Sequence, residues 1–383
     1  MAKTEVRIET PTTPKEATEV LRALSADETP LRMRGGGTKF AWGAECEPGA
    51  IVSTKALAEV KEHNAPDMTA ILGAGTPLAT AQEAFAQSDQ MLALDPPLVG
   101  DAATIGGIIA TNDSGPLRHR YRAARDLVLG MTVALSDGTL ARSGSRVIKN
   151  VAGYDIAKLF AGSLGTLGLI VEVIVRLHPL PRRTVTVVGQ SSDPSAIHTG
   201  SFDLGHAPLE IEALDVAWAE GSGRVLARFG GVAPEGQSAG AQALLAKAGL
   251  DVTETDEDAA LWTSQRDAQR AGEGEVSVKV SALPGNFEEV VGATQRLGGS
   301  LVGRAGLGIY WLRAPSTTPL DEVRKELGAI ARYSVLLDGP GDFRAASDVW
   351  GEPDPGTLRL MKAVKSRFDP AGVCAPGLFV GGI

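Results

Sequence analysis

Apolar and polar positions change period several times along the chain, and the changes outline its elements. The run at 6–9 reads as a strand, and 14–26 as an amphipathic helix opened by Pro14. Residues 30–35 and 50–54 repeat the strand pattern. The stretch 69–87 reads as strand, glycine turn and helix, with Thr76 predicted as N-cap ahead of Pro77 at the first helical position. These alternations describe an α/β or α+β sheet domain. From about 99 to 182 the pattern shifts to β-branched runs broken by glycine: "TIGGIIATNDSGP", "DLVLGMTVALSDGTLARSG" and "GLIVEVIVRLHPLP". Asp137-Gly138 lies between two of the strand-like runs, a strong hairpin signal. A short helix flanked by glycines is expected within 147–168.

Prolines in "HPLPRR", 178–183, end the last of these strands and mark a boundary. Beyond it, "TVTVVGQ", "LEIEALD", "RVLARFGG", "EVSVKVSA" and "GIYWLRA" predict strands, and 236–249, 256–271, 286–297 and 319–330 predict helices. Strand–helix units of that size suggest a small sheet with helices on one face. The end of the chain reads as a helix to Phe368, stopped by Asp369-Pro370, followed by an extended glycine- and proline-rich tail. The expected organisation is a first domain over 1–182, in two parts at 1–98 and 99–182. A smaller α+β cap or partner domain follows over 183–350, and a tail, 351–383, returns to the first.

With 383 residues, two domains are the natural expectation. The net charge of −9 argues against nucleic acid or an anionic membrane as a general partner. Cys46 and Cys374 are the only cysteines, too few for a disulfide framework or for the four thiolates of a typical iron–sulfur cluster. The N-terminus lacks an apolar signal core, and no apolar run reaches the ~18 residues that a membrane span needs. A cytoplasmic location is the expectation.

Glycine supplies the most specific chemistry. There are 46 glycines, against a usual share of roughly 7%, clustered beside apolar runs. In "RMRGGGTKFAWG", 32–43, successive glycines can aim several backbone N–H groups at one anion, with Arg34 and Lys39 adding positive charge. A plain surface turn explains the run equally well. A second cluster, Gly100, Gly106, Gly107 and Gly115, sits among Thr104, Asn112 and Ser114. A third, Gly162, Gly165 and Gly168, leads into a strand beside Lys149, Asn150, Tyr154 and Asp155. Two glycine-rich loops at strand ends could meet around one extended phosphate-bearing ligand. Neither the GxGxxG dinucleotide fingerprint nor a GxxxxGK[ST] loop is present in its required context.

Five stretches in order, "RGGGTK", "LDPPLVGDAATIGGIIATNDSGP", "RDLVLGMTVALSDG", "VIKNVAGYDIAKLFAGSLGTLGLIVEV" and "RFDPAGVCAPGLF", resemble the FAD-binding domain of the vanillyl-alcohol oxidase, or PCMH, type. The resemblance spans roughly 25–182 and 355–380. Within that family the wording is similar to the FAD-binding subunits of bacterial glycolate oxidases. The resemblance implies an α+β fold, a two-part FAD domain followed by a smaller cap. It implies that Arg34, Gly35, Gly36, Gly37, Thr38 and Lys39 wrap the FAD pyrophosphate. Pro97, Gly100, Asp101, Thr104, Ile105, Gly106, Gly107, Asn112, Ser114 and Gly115 would contact pyrophosphate and ribityl. Gly165, Thr166, Gly168 and Ile170 would meet adenine or isoalloxazine through backbone. Where some relatives hold a flavin-linking histidine this chain has Thr38, which implies non-covalent FAD.

Oxidising a 2-hydroxy acid needs a base and a cation for the carboxylate. The relatives that do so carry a His/Glu cluster in the cap, some of it metal-binding. Here the five histidines, 63, 119, 178, 198 and 206, show no HxH or HExxH spacing. His198 and His206 read best as surface residues, and His119 belongs to a basic run with Arg118, Arg120, Arg122 and Arg125. The resemblance therefore implies a subunit holding FAD beside a catalytic FAD subunit and an iron–sulfur subunit of a glycolate oxidase. A small 2-hydroxy acid would be the substrate of the complex, which would be cytoplasmic or peripheral to the inner membrane. No catalytic residue and no metal ligand is assigned. Two alternatives stand: a self-sufficient FAD oxidase using Arg304, Arg313, Tyr310 or Trp311, and a non-catalytic assembly subunit.

Overall fold

A computed structural model describes residues 6–97, 102–145 and 155–383. They form two compact units. The first comprises 1–114, 122–180 and 352–383, and the second 115–121 and 181–351.

The first unit is built from its N-terminal helix outward. Pro14–Ala26 starts where Thr13 accepts a hydrogen bond from the Glu16 amide at 3.1 Å, while the Glu16 carboxylate accepts from the Thr12 amide and hydroxyl, each at 2.8 Å. Its helical spacing places Ala17, Leu21 and Leu24 on one buried face. That face packs with Leu31, Ala50, Val52, Leu169 and Val171 from the strands, and with Val373 and Cys374 from the tail. Arg7–Glu9, Ala50–Ser53 and Leu31–Arg34 form a parallel three-stranded sheet in that order. The tail extends its edge: the Leu31 amide donates to the Val373 carbonyl at 2.8 Å, and the Ala375 amide to the Leu31 carbonyl at 2.7 Å. An antiparallel five-stranded sheet runs in the order Val60–Asn64, Thr69–Gly73, Leu169–Arg176, Val128–Ala134, Leu140–Gly144. The hairpin between its last two strands turns at Asp137-Gly138, with Gly138 at φ +82°.

The second unit carries an eight-stranded antiparallel sheet, larger than the small sheet expected. Its order is Asp251–Thr255, Thr184–Ser191, Ser222–Gly230, Ile211–Ala219, Ser300–Arg304, Ile309–Pro315, Glu275–Ala282, Ala331–Asp338. The strands at 251–255, 300–304 and 331–338 and the helix Pro194–His206 were not anticipated.

Two other expectations are corrected. Pro77, not Thr76, occupies the N-cap of Leu78–Ala86, and no side chain caps that helix. The Thr76 hydroxyl instead accepts from the Glu59 amide at 2.9 Å and donates to its carbonyl at 3.0 Å. The strand-like "TIGGII" forms the helix Ile105–Thr111, because the Thr104 hydroxyl accepts from the Gly107 amide at 3.3 Å and caps it.

Inside the second unit Arg304 and Asp215, each 1% exposed, pair at 3.2 Å, and the guanidinium lies 4.5 Å over the Trp311 ring. Burial pushes the Asp215 carboxyl up to about 6, against the opposing effects of Arg304 and of a hydrogen bond from Gln265. A raised folded value means the native state binds the proton more readily than the unfolded chain between 3.8 and about 6. Stability from this group is therefore full below that window and lost as pH rises through it. Urea unfolding at stepped pH should show the wild type losing stability relative to Asp215→Asn from about pH 4 to about pH 6. A flat difference across that range would contradict the buried assignment.

Candidate functional site

The strand Leu31–Arg34 runs directly into Gly35-Gly36-Gly37, and two of these glycines touch protein. A Cβ on Gly35 would stand 2.1 Å from the Thr104 hydroxyl, and one on Gly36 would stand 1.3 Å from the Ala102 carbonyl oxygen. The backbone of the first loop thus rests on the segment that caps helix Ile105–Thr111. Gly37, at φ +83°, turns the chain in the left-handed region that an L side chain disfavours. The turn closes through the Phe40 amide on the Gly37 carbonyl and the Trp42 amide on the Lys39 carbonyl, both at 3.1 Å. The amides of Gly35, Gly36 and Gly37 find no hydrogen-bond acceptor among the described residues.

Across from this loop, Gly106 packs against Ala74 and its amide donates to the Ala74 carbonyl at 2.8 Å. Gly107 differs from its neighbours: a Cβ there would meet only the Thr104 hydroxyl, at 3.1 Å. A third wall is the turn over 163–168. Leu164 and Gly165 take φ of +53° and +80°, and the Leu164 amide donates to the Ala110 carbonyl at 2.8 Å.

These walls bound two adjoining cavities in the first unit. One is lined by the 32–40 loop with Trp42, Thr104, Gly107, Ile108, Ala110, Thr111, Leu164 and Leu378. The other is lined by Met33, Arg34, Gly35, Thr54, Gly106, Gly107, Ala110, Leu164, Gly165 and 168–170. Six residues line both, so the cavities form one groove. Arg32, Arg34 and Lys39 line it, and no aspartate or glutamate does. Arg32 stacks 4.0 Å from the Phe40 ring centroid and donates to the Phe40 carbonyl at 2.7 Å. Lys39 is not the free cation expected of it. Its ammonium lies 3.1 Å from the Asp113 carboxylate, with both side chains about 95% buried, at 5% and 4% exposure. The loop's spare positive charge therefore rests on Arg34, which is exposed.

Of the expected cofactor contacts, Arg34, Gly35, Gly36, Gly37, Thr38, Lys39, Thr104, Gly106, Gly107, Gly165, Gly168 and Ile170 line this groove. Others are placed elsewhere. Ile105 is fully buried. Asn112 ends its helix at φ +49° and accepts from the Arg125 amide, and the buried Ser114 amide donates to Asp113. Pro97 is buried outside the groove lining, and Gly115 falls in the second unit. Thr166 faces a separate apolar cavity lined with Leu360, Met361 and Val364. Gly100, Asp101, Lys149, Asn150 and Tyr154 lie outside the described residues. Sequence reasoning missed Met33, Thr54, Phe40, Trp42, Leu164 and Leu378. Only the two aromatics, next to the glycine run, carried a signal.

The groove fits a flavin dinucleotide. Acceptor-free amides beside arginine suit a pyrophosphate, and Met33, Ile108, Leu164 and Trp42 offer apolar surface for rings. Neither cysteine is a ready thiolate, since burial pushes both the Cys46 and Cys374 thiols up.

Residues 7–144 match the family model described as an FAD binding domain. It is 34% identical over 169 residues to the glycolate oxidase subunit GlcE of Escherichia coli K12, covering 44% of this chain and 48% of that subunit. It is 35% identical over 173 residues to a D-lactate dehydrogenase of Archaeoglobus fulgidus, covering 45% of this chain and 38% of that enzyme. These alignments span less than half the length of either relative. The fold matches an alkyldihydroxyacetonephosphate synthase structure with a TM-score of 0.71 at 14% identity, over 96% of this chain and 75% of the other.

The glycines separate two roles by mutation. Gly36→Ala would push the loop off Ala102, so it should both destabilise the first unit and weaken FAD binding. Gly107→Ala meets no backbone, only the Thr104 hydroxyl at 3.1 Å, so the stability of the apoprotein should change by less than about 1 kcal/mol. If the groove holds FAD, the same methyl should raise the dissociation constant about tenfold. Thermal melts and flavin fluorescence titration measure the two effects; an unchanged FAD affinity in Gly107→Ala would remove this glycine from the binding surface.

Proposed function

We propose that this chain is the FAD-binding subunit of a 2-hydroxy-acid-oxidising complex of the glycolate oxidase kind. The observation that carries the reading is the groove: the amides of Gly35–Gly37 and the Arg34 guanidinium on one wall, with no carboxylate in the lining. In this reading those groups hold the pyrophosphate, and the walls at Thr104–Gly107 and Gly165–Ile170 hold the rest of the cofactor. Bound FAD would supply a two-electron acceptor, chemistry that no side chain provides. Thr38 stands in the loop where a flavin-linking histidine would be, and no histidine lines the groove, so FAD is held without a bond.

Catalysis on the hydroxy acid is assigned to a sister flavoprotein subunit, with electrons passing to an iron–sulfur subunit. The residues that a self-sufficient enzyme would use support this. Arg304, Tyr310 and Trp311 are 1%, 0% and 1% exposed within the second unit. Arg313 donates to the Ser300 hydroxyl at 3.0 Å and lies 3.6 Å from Glu275. His198 and His206 flank Phe202 on one helix, at ring distances of 6.4 and 4.2 Å. In this reading the second unit is a cap given over to subunit contact, and the site of work is cytoplasmic. No helix among the described residues is long and apolar enough to cross a membrane.

The test is to purify the chain alone, record its visible flavin band, and assay glycolate and D-lactate oxidation with an artificial acceptor. A flavin band released by denaturation, with negligible turnover until the sister subunits are added, is the expected result. Strong turnover by the isolated chain would favour the self-sufficient oxidase, and a colourless chain that takes up no FAD would favour the assembly subunit.

A further inference from the structure

The tail residues 365–378 converge on the groove from behind, and one cation organises them. The Lys365 ammonium donates to the Thr166 carbonyl at 2.8 Å, to the Cys374 carbonyl at 2.7 Å and to the Asp369 carboxylate at 2.6 Å. Those three bonds use all three of its donors. Asp369, 2% exposed, also accepts from the Cys374 amide at 2.8 Å, so the Asp369–Cys374 segment closes on itself around the lysine. On one side this assembly grips Thr166, the residue after groove-lining Gly165, in a turn whose positive φ angles need outside support. On the other, the next residues pair with Leu31, which begins the strand feeding the glycine loop, and Leu378 enters the groove wall itself.

We propose that Lys365 is a positioning residue for the cofactor: it joins the tail to the 163–168 turn, so that docking of residues 369–378 and binding of FAD are thermodynamically coupled. This rests on the groove being the FAD site. The coupling follows from geometry. If the tail lifts, the Thr166 carbonyl loses its donor, Leu31 loses two hydrogen bonds and the groove loses Leu378, so two walls relax together. A ligand that needs both walls must oppose that opening, and by reciprocity the docked tail must favour the ligand.

Hydrogen exchange followed by mass spectrometry on the full chain, with and without saturating FAD, tests this. Binding itself is read separately from flavin fluorescence. In the wild type, FAD should slow exchange in peptides covering 366–380 by about tenfold or more. Lys365→Met should bind FAD at least about tenfold more weakly and lose the FAD-dependent slowing in the tail. A residue with a purely structural role would lower the melting temperature without removing that dependence. If FAD binds and the wild-type tail exchanges at the same rate with and without it, or if Lys365→Met binds FAD as tightly as wild type, the coupling is refuted. If the variant does not fold, the wild-type exchange alone decides. If the wild type binds no FAD at all, the reading of the groove falls first and the coupling with it.

Discussion

Backbone-to-backbone contact between two loops is the constraint on which the first unit's site depends. Gly35 and Gly36 press on Thr104 and Ala102 with no room for a Cβ. That contact sets the Arg34-to-Lys39 loop and the start of helix Ile105–Thr111 against each other as one rigid corner. The amides of Gly35–Gly37 are then left without a backbone acceptor, which keeps them available to an anion. The buried Lys39–Asp113 pair works in the same direction: it ties the loop's far end to the residues just past that helix, neutralises a charge and leaves Arg34 as the accessible cation.

Much of the architecture was legible because period and punctuation agreed. Helix 14–26 shows its Thr-Pro start and an apolar stripe, and Asp137-Gly138 marks its hairpin without competition. "TIGGII" misled because isoleucine and paired glycines resemble a strand; what decides it is the Thr104 cap and the close approach to Ala74, a tertiary contact. The helix Pro194–His206 was hidden for a related reason. Gly200 lowers its helix propensity, yet it is there because Leu245 would crowd a larger side chain, at 2.9 Å from a Cβ.

For the site, the sequence located positions better than purposes. The glycines of the first loop were read as aiming their amides at an anion; two of them also make room for protein, while a Cβ on Gly107 would meet only the Thr104 hydroxyl. Lys39 looked like a free cation because its partner, Asp113, is distant in sequence and matches no motif. Met33, Leu164 and Leu378 carry no motif of their own, and only the fold shows that they line the groove.

The edge pairing of the tail with Leu31 has a further implication, for the order in which the protein is made. The hydrophobic core beneath helix Pro14–Ala26 includes Val373 and Cys374, which leave the ribosome only after the whole of the second unit. Most of the second unit, by contrast, is one continuous stretch, 181–351. The emerging chain can therefore finish its C-terminal unit while its N-terminal one still waits for an edge strand and part of its core. During synthesis the half that appears first would be the half that sets last, and for that interval the growing chain carries an open sheet edge at Leu31.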